Sequence, residues 1–371
     1  MSRELVVFSH LRWTFVWQRP QHLISRLAHG YDRTWFVEEP EPLEGLREPC
    51  LRMEQQGDVT RVWLQVPDDG TLPGFNDDAT ARYAAALTEV LEPGETTAWL
   101  YTPMALAAAR SLQPTLLVYD VMDDLGAFRY AAPELALRQR QALREADVVF
   151  TGGRSLHRSV MEQAPGNAHC FPSGVEPEHF ASAAPERERR AGSRPVAGYV
   201  GVIDERLDLD LIRTLAEELS DWTINMVGPV IKIDESTLPS VKNIRYPGPC
   251  HYSELPEVMS GFDVALMPFA RNEATRSISP TKTLEYLAAG LPVVSTRVPD
   301  VVADYSGVVE LCDDGVAFAR ACRSVAAGSA TERRERVRPI LHAQHWDTIA
   351  ARMAAHLEAA RFDRTSTQET A

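Results

Sequence analysis

Apolar positions along the chain fall into two alternating patterns. Short β-branched or aromatic runs at 5–9, 97–102, 116–119 and 148–151 precede stretches at 21–28, 104–112, 134–146 and 155–163 whose apolar residues recur every three or four positions. The first pattern predicts strands and the second amphipathic helices, and their alternation builds a parallel sheet covered on both faces. At Ala181-Ser-Ala-Ala-Pro-Glu-Arg-Glu-Arg-Arg-Ala-Gly-Ser-Arg194 charge, small residues and proline replace the pattern. It resumes at 196–203, 209–219, 223–227, 254–260, 264–267, 281–289, 293–296, 308–311 and 316–326. These runs predict an α/β protein of two Rossmann-like, doubly wound domains facing each other across a cleft. The expected divisions are 1–180, a linker at 181–195, a second domain at 196–330, and closing helices at 331–371 with a frayed tail from 363.

Length agrees with this organisation, since 371 residues exceed one ordinary core and fit two domains. No apolar run reaches the roughly 18 residues of a membrane span. The opening Met1-Ser-Arg-Glu-Leu leads straight into a strand pattern rather than a signal peptide, so the expected location is cytoplasmic. Five cysteines, scattered and without C-x-x-C spacing, point to buried thiols rather than a disulfide framework or a zinc site. A net charge of −14, with neither half basic, argues against a nucleic-acid partner. Peripheral membrane contact would need a local patch such as Arg12 with Arg19.

The densest chemistry lies in Ser279-Pro-Thr-Lys-Thr-Leu-Glu-Tyr-Leu-Ala-Ala-Gly-Leu-Pro-Val-Val-Ser-Thr296. Ser279 suits a helix N-cap, Pro280 the first helical position, and Gly290 a left-handed stop before a strand. Leu284, Leu287 and Ala288 form an apolar stripe, while Lys282 and Glu285, three apart, share a neighbouring face. Helix-terminal N–H groups, a hydroxyl at Thr281 or Thr283 and the Lys282 ammonium suit a phosphate; the Glu285 carboxylate one turn on suits ribose hydroxyls. The same pair could equally be a solvated i,i+3 ion pair. Composition adds weight to the phosphate reading. Only Lys232, Lys242 and Lys282 are lysines among 38 Lys and Arg, so a point charge here departs from the chain's habit.

Several ordered landmarks resemble glycosyltransferases of the GT-B fold, particularly the large retaining family 4. Ala146-Asp-Val-Val-Phe-Thr-Gly-Gly-Arg-Ser155 is similar to the family's A-D-x-V-x-x-x-S strand, and Phe171-Pro-Ser-Gly-Val-Glu-Pro-Glu-His-Phe180 to its P-N-G-V-D-x-x-x-F turn. Tyr199-Val-Gly-Val-Ile-Asp-Glu-Arg206 resembles the segment that opens the second domain, where a basic residue, here Arg206, reaches the donor pyrophosphate. Val227-Gly-Pro229 and Tyr246-Pro-Gly248 look like the loops around the base. Leu284-Glu-Tyr-Leu-Ala-Ala-Gly-Leu-Pro-Val-Val294 is similar to the closing L-E-A-M-A-x-G-x-P-V-V. Three features depart from the family. The first glutamate of its E-x(7)-E signature falls on Ser277, with Glu273 four residues away; the first-domain glycine-rich loop is replaced by Trp13-Thr-Phe-Val-Trp-Gln-Arg-Pro-Gln-His22; and Met122-Asp-Asp124 stands where many members have His-Asp.

The resemblance implies sugar transfer from a nucleotide-diphosphate donor to an acceptor hydroxyl, with retention and without metal or other cofactor. Donor contacts are expected from Arg206, Gly228, Pro229, Ser279, Pro280, Thr281, Lys282, Thr283 and Glu285. His10, which follows the first strand, Asp123 and Glu273 are the candidates for catalytic groups, and Arg19 or Gln18 for a phosphate contact in place of the glycine-rich loop. Trp13 and Trp17 could stack on a sugar or aglycone. Two alternatives stay open on the same fold: a nucleotide-sugar epimerase, and an inactive partner that only binds.

Overall fold

The computed structural model describes residues 2–15, 17–70, 74–127, 134–181 and 193–369. Most of the expected linker, 182–192, lies outside them. The chain forms two compact units, one of Met1–Phe171 with Asp347–Ala371 and one of Pro172–Trp346.

The first unit is built on β1 (Ser2–Ser9), β2 (Arg33–Glu38), β3 (Glu41–Leu43), β4 (Cys50–Gln56), β5 (Val59–Pro67), β6 (Gly94–Leu100), β7 (Leu116–Val121), β8 (Val148–Thr151) and β9 (Ala168–Cys170). They form one sheet in the order β3-β5-β2-β1-β6-β7-β8-β9, parallel throughout, with β4 added antiparallel to β5. Leu5, Val6, Val7 and Phe8 on β1 are fully buried, as a parallel strand covered on both faces requires. Helix Arg19–Leu27 follows β1, and helix Trp346–Glu369 returns to this unit from the far end of the chain.

The second unit has β10 (Val196–Val200), β11 (Thr223–Val227), β12 (Ile244–Gly248), β13 (Val264–Met267), β14 (Val293–Thr296) and β15 (Glu310–Cys312), parallel in the order β12-β11-β10-β13-β14-β15. A separate core fills it, from Leu211, Ile212 and Leu215 of helix Leu209–Glu218 to Leu284, Tyr286 and Leu287 of helix Thr281–Ala288.

The expected divisions need three corrections. The first unit ends at Phe171 rather than near 180, because Phe180 is fully buried in the second core and His179 stacks on Tyr252 at 4.3 Å. The closing segment is divided: helix Ala330–Ala343 belongs to the second unit and Asp347–Ala371 to the first. The tail expected to fray from 363 is helical to Glu369.

Candidate functional site

In the second unit the chain runs from β10 outward to β11 and β12, then crosses back to β13 on the other side of β10. Loops leaving β10 and β13 at their carboxyl ends therefore diverge, which is where open α/β sheets hold ligands. Three loops are tied together at this edge. Ile203 donates to the Pro229 carbonyl at 2.9 Å and Ile231 donates to Ile203 at 3.0 Å, joining the loops after β10 and β11. Asp208 donates to Pro268, Ala270 to Arg206, and the Asn272 amide to the Glu205 carbonyl at 2.9 Å, joining the loops after β10 and β13. Gly201 and Gly228 have φ of +153° and +148°, and a Cβ on Gly228 would lie 1.9 Å from the Gly201 carbonyl oxygen. Only glycine allows so close a backbone approach at that conformation.

Helix Thr281–Ala288 is fixed to the same edge from inside. The Tyr286 hydroxyl accepts from the Val200 amide at 2.7 Å, at the end of β10, and Thr283 lies 3.3 Å from the Met267 sulfur at the end of β13. Thr283, expected as an alternative phosphate ligand, is thus committed to the core. Gly290 takes φ +72°, the expected left-handed stop. Ser279 is not the N-cap: Pro280 occupies that position with ψ of 109°, and no side chain caps the helix. The Ser279 carbonyl instead accepts from Ser173 at 3.4 Å. Thr281 and Lys282 are half-buried at the uncapped start of the helix. Lys282 Nζ lies 2.6 Å from Glu285 Oε2, with Glu285 only 7 % exposed. The pair is therefore made, on a carboxylate sunk into the unit rather than on a solvated face. Arg206 is likewise paired, its guanidinium 2.8 Å from Asp204 Oδ2. Glu273 starts a short helix capped by Asn272, is 75 % exposed and pairs with Arg276 at 3.3 Å. It borders the loop cluster and projects outward from it.

Residues 194–327, nearly all of this sheet and its helices, match the family model described as Glycosyl transferases group 1. The chain resembles a GT-B glycosyltransferase. A putative teichuronic acid biosynthesis glycosyltransferase, TuaH, of Bacillus subtilis is 28% identical over 220 residues, 56% of this chain and 55% of that protein. The alignment thus spans about half of this relative. Among solved structures, the OtsA apo structure aligns over 97% of this chain and 99% of its own with a TM-score of 0.72 at 13% identity. A trehalose-6-phosphate protein from E. coli bound with UDP-2-fluoro glucose aligns over 96% and 99%, with a TM-score of 0.69 at 13% identity. At such identities the likeness carries the GT-B fold. The group 1 match covers Arg206, Gly228, Pro229 and the whole segment from Ser279 to Glu285.

In the first unit, chain order reverses about β1, between β2 and β6, and His10 directly follows β1 at that edge. Burial lowers its pKa to about 4 against a backbone hydrogen bond to Tyr101, and its Nδ1 has no partner among the described residues. The ring is neutral at pH 7. Asp123 lies two residues beyond β7, half-buried. Arg19 is not available to a phosphate. Its guanidinium donates to Asp120 Oδ1 and Oδ2 at 3.0 Å and to the Phe171 carbonyl at 2.7 Å, and Asp120 lies within β7, fully buried. Gln18 accompanies the start of the same helix, its amide donating to Gln21 at 3.1 Å. Trp13 is core, whereas Trp17 is 38% exposed while its indole N–H donates to His22. Sequence reasoning missed Glu39, one residue beyond β2, whose carboxyl is raised to about 7 by burial despite the Arg12 charge. The dipeptide Glu38-Glu39 after an apolar strand was its only signal.

His10 and Glu39 tilt stability in opposite directions. A histidine depressed to about 4 is neutral when folded but protonates near 6.5 when unfolded, so its contribution is complete above pH 6.5 and lost as pH falls toward 4. Glu39, raised to about 7, contributes below 4.5 and loses that contribution as pH rises through 7. His10→Asn should therefore remove about 3 kcal/mol of acid-side destabilisation between pH 7 and 4. Urea titrations across that range check it, and parallel curves for variant and parent would refute it.

Proposed function

We propose that the protein transfers a sugar from a nucleotide-diphosphate donor to an acceptor hydroxyl, with retention and without a metal. The observation that supports this most is the coincidence of the group 1 match with a structurally joined set of loops around one uncapped helix start. On this reading the donor diphosphate meets Lys282 and the N–H groups of Thr281 and Lys282. Glu285 exchanges its contact with Lys282 for ribose hydroxyls, and Arg206 swings from Asp204 toward the phosphates. Charge develops on the leaving diphosphate, so cationic groups brought there when the donor binds lower the barrier of the chemical step. In a retaining reaction the departing phosphate oxygen takes the acceptor proton, and no protein base is needed. His10 and Asp123 then orient the acceptor, and Glu273 meets the donor sugar only by leaving Arg276 and turning inward. A cytoplasmic location and a UDP-linked donor follow as parts of the same proposal, the latter supported by the UDP-2-fluoro glucose in the E. coli relative.

Lys282→Ala should weaken uridine diphosphate binding by about 1.5–3 kcal/mol, roughly 10- to 150-fold. Calorimetry measures this, and unchanged affinity would return Lys282 and Glu285 to a structural ion pair. Release of nucleoside diphosphate from a panel of sugar nucleotides, with activity retained in excess EDTA, tests the reaction itself. Interconversion of the donors would assign an epimerase instead.

A further inference from the structure

A second concave site lies in the same unit. It is a cavity of about 550 Å³ that runs from the entries to β14 and β15 as far as Arg297, just past the end of β14, beside helix Ala330–Ala343, and its lining includes Arg297, Arg333, Arg336, Glu310 and Glu332. None of its lining residues belongs to the candidate donor loops that follow β10, β11 and β13. About half of the described arginines in this acidic chain sit on carboxylates, Arg297 on Asp313 among them. Arg333 and Arg336 do not. Among the described residues they make no ion pair, and each has only a long contact to a backbone carbonyl: Gly290 for Arg333 and Gly307 for Arg336, both at 3.4 Å. They stand one turn apart on the first half of a 14-residue helix capped by Ser329, whose dipole adds to their charge. Burial and then the neighbouring cations Arg334 and Arg336 lower the Arg333 pKa.

We infer that this cavity binds a phosphate ester of a hydroxylated small molecule, with Arg333 and Arg336 on the phosphoryl oxygens and Glu310 and Glu332 on the hydroxyls. Two guanidinium forks match a phosphoryl group's geometry, and a single turn of helix presents them side by side. The carboxylates on the same wall disfavour a densely charged polyanion but accept hydrogen bonds from hydroxyls. The volume suits a phosphorylated monosaccharide. This site is independent of the donor assignment.

Calorimetric titration with a hexose 6-phosphate and with inorganic phosphate, in the Lys282→Ala background that disables the proposed donor site, tests the inference. Saturable binding of the hexose phosphate is expected, weakened at least tenfold in the Arg333→Gln, Arg336→Gln double variant, with inorganic phosphate weaker throughout. Glu332→Gln should raise affinity for inorganic phosphate by removing a repulsive charge while lowering the preference for the sugar ester. Should the double variant fail its thermal-unfolding control, Arg333→Lys keeps the charge without the fork and should lose affinity to an intermediate degree. Unchanged affinity in the double variant would overturn the inference, as would no saturable binding of either probe. Binding confined to phosphatidylglycerol vesicles would also overturn it, giving the arginines to a lipid surface.

Discussion

Replacing Arg19 with methionine should destabilise the first unit by about 3–5 kcal/mol, the cost of leaving a buried charge without its partner. Asp120 is fully buried, and Arg19 is 5 % exposed with three of its bonds going to Asp120 and one to the Phe171 carbonyl. Burial disfavours the guanidinium charge, yet the adjacent Asp120 holds the Arg19 pKa above its ordinary value, so the cation persists. Removing it forces the carboxylate either to take up a proton or to remain ionised away from water. The Arg19→Met, Asp120→Leu double variant should recover much of the loss, because desolvation of two ions offsets most of their attraction. Denaturant unfolding gives both numbers. A single variant within about 1 kcal/mol of the parent would show that water already reaches the pair.

Gly228→Ala should cost about 3 kcal/mol or more, divided between stability and nucleotide binding. The added methyl carbon would meet the Gly201 carbonyl at 1.9 Å, and that atom belongs to a backbone held in turn by the Val227 carbonyl. Neither partner is a side chain that can rotate away, so the loops after β10 and β11 must separate. Gly248 supplies the control: its φ is +89° but nothing lies within 4 Å of the point an added methyl carbon would occupy, so Gly248→Ala should cost only the backbone strain of about 1–2 kcal/mol. Equal effects of the two substitutions, by thermal unfolding and calorimetry, would mean that loop contact is irrelevant to the site.

How much could be read beforehand depended on the range over which each residue acts. Val148–Thr151, Thr223–Val227, Val264–Met267 and Val293–Thr296 appear where the apolar runs place them, because a strand covered on both faces must be apolar along its length. The i,i+3 meeting of Lys282 and Glu285 is local geometry and was equally legible. The Cys50–Gln56 and Val59–Pro67 pair was not, since β4 is an exposed, polar edge strand whose side chains report no core. Strand Arg33–Glu38 did carry a legible Thr-Trp-Phe-Val run that the alternation passed over. Arg19 looked available for phosphate because its partner lies 101 residues away, a pairing that only the packed sheet creates. Ser279 has the chemistry of a cap, but the extended Pro280 delays the helix beyond its reach.

The return of the last helix to the first unit bears on how the protein is made. Arg361 donates to the Tyr31 hydroxyl at 2.9 Å and to Thr97 at 2.7 Å, and Arg364 to the Thr115 carbonyl at 2.9 Å, so residues near the end of the chain complete hydrogen bonds begun near its start. A ribosome releases Tyr31 and Thr97 long before it polymerises Arg361. These hydrogen bonds of the first unit can therefore form only after the whole of Pro172–Trp346, one uninterrupted stretch, has been made. Every residue of the later-made unit is thus available before the last residues of the earlier one.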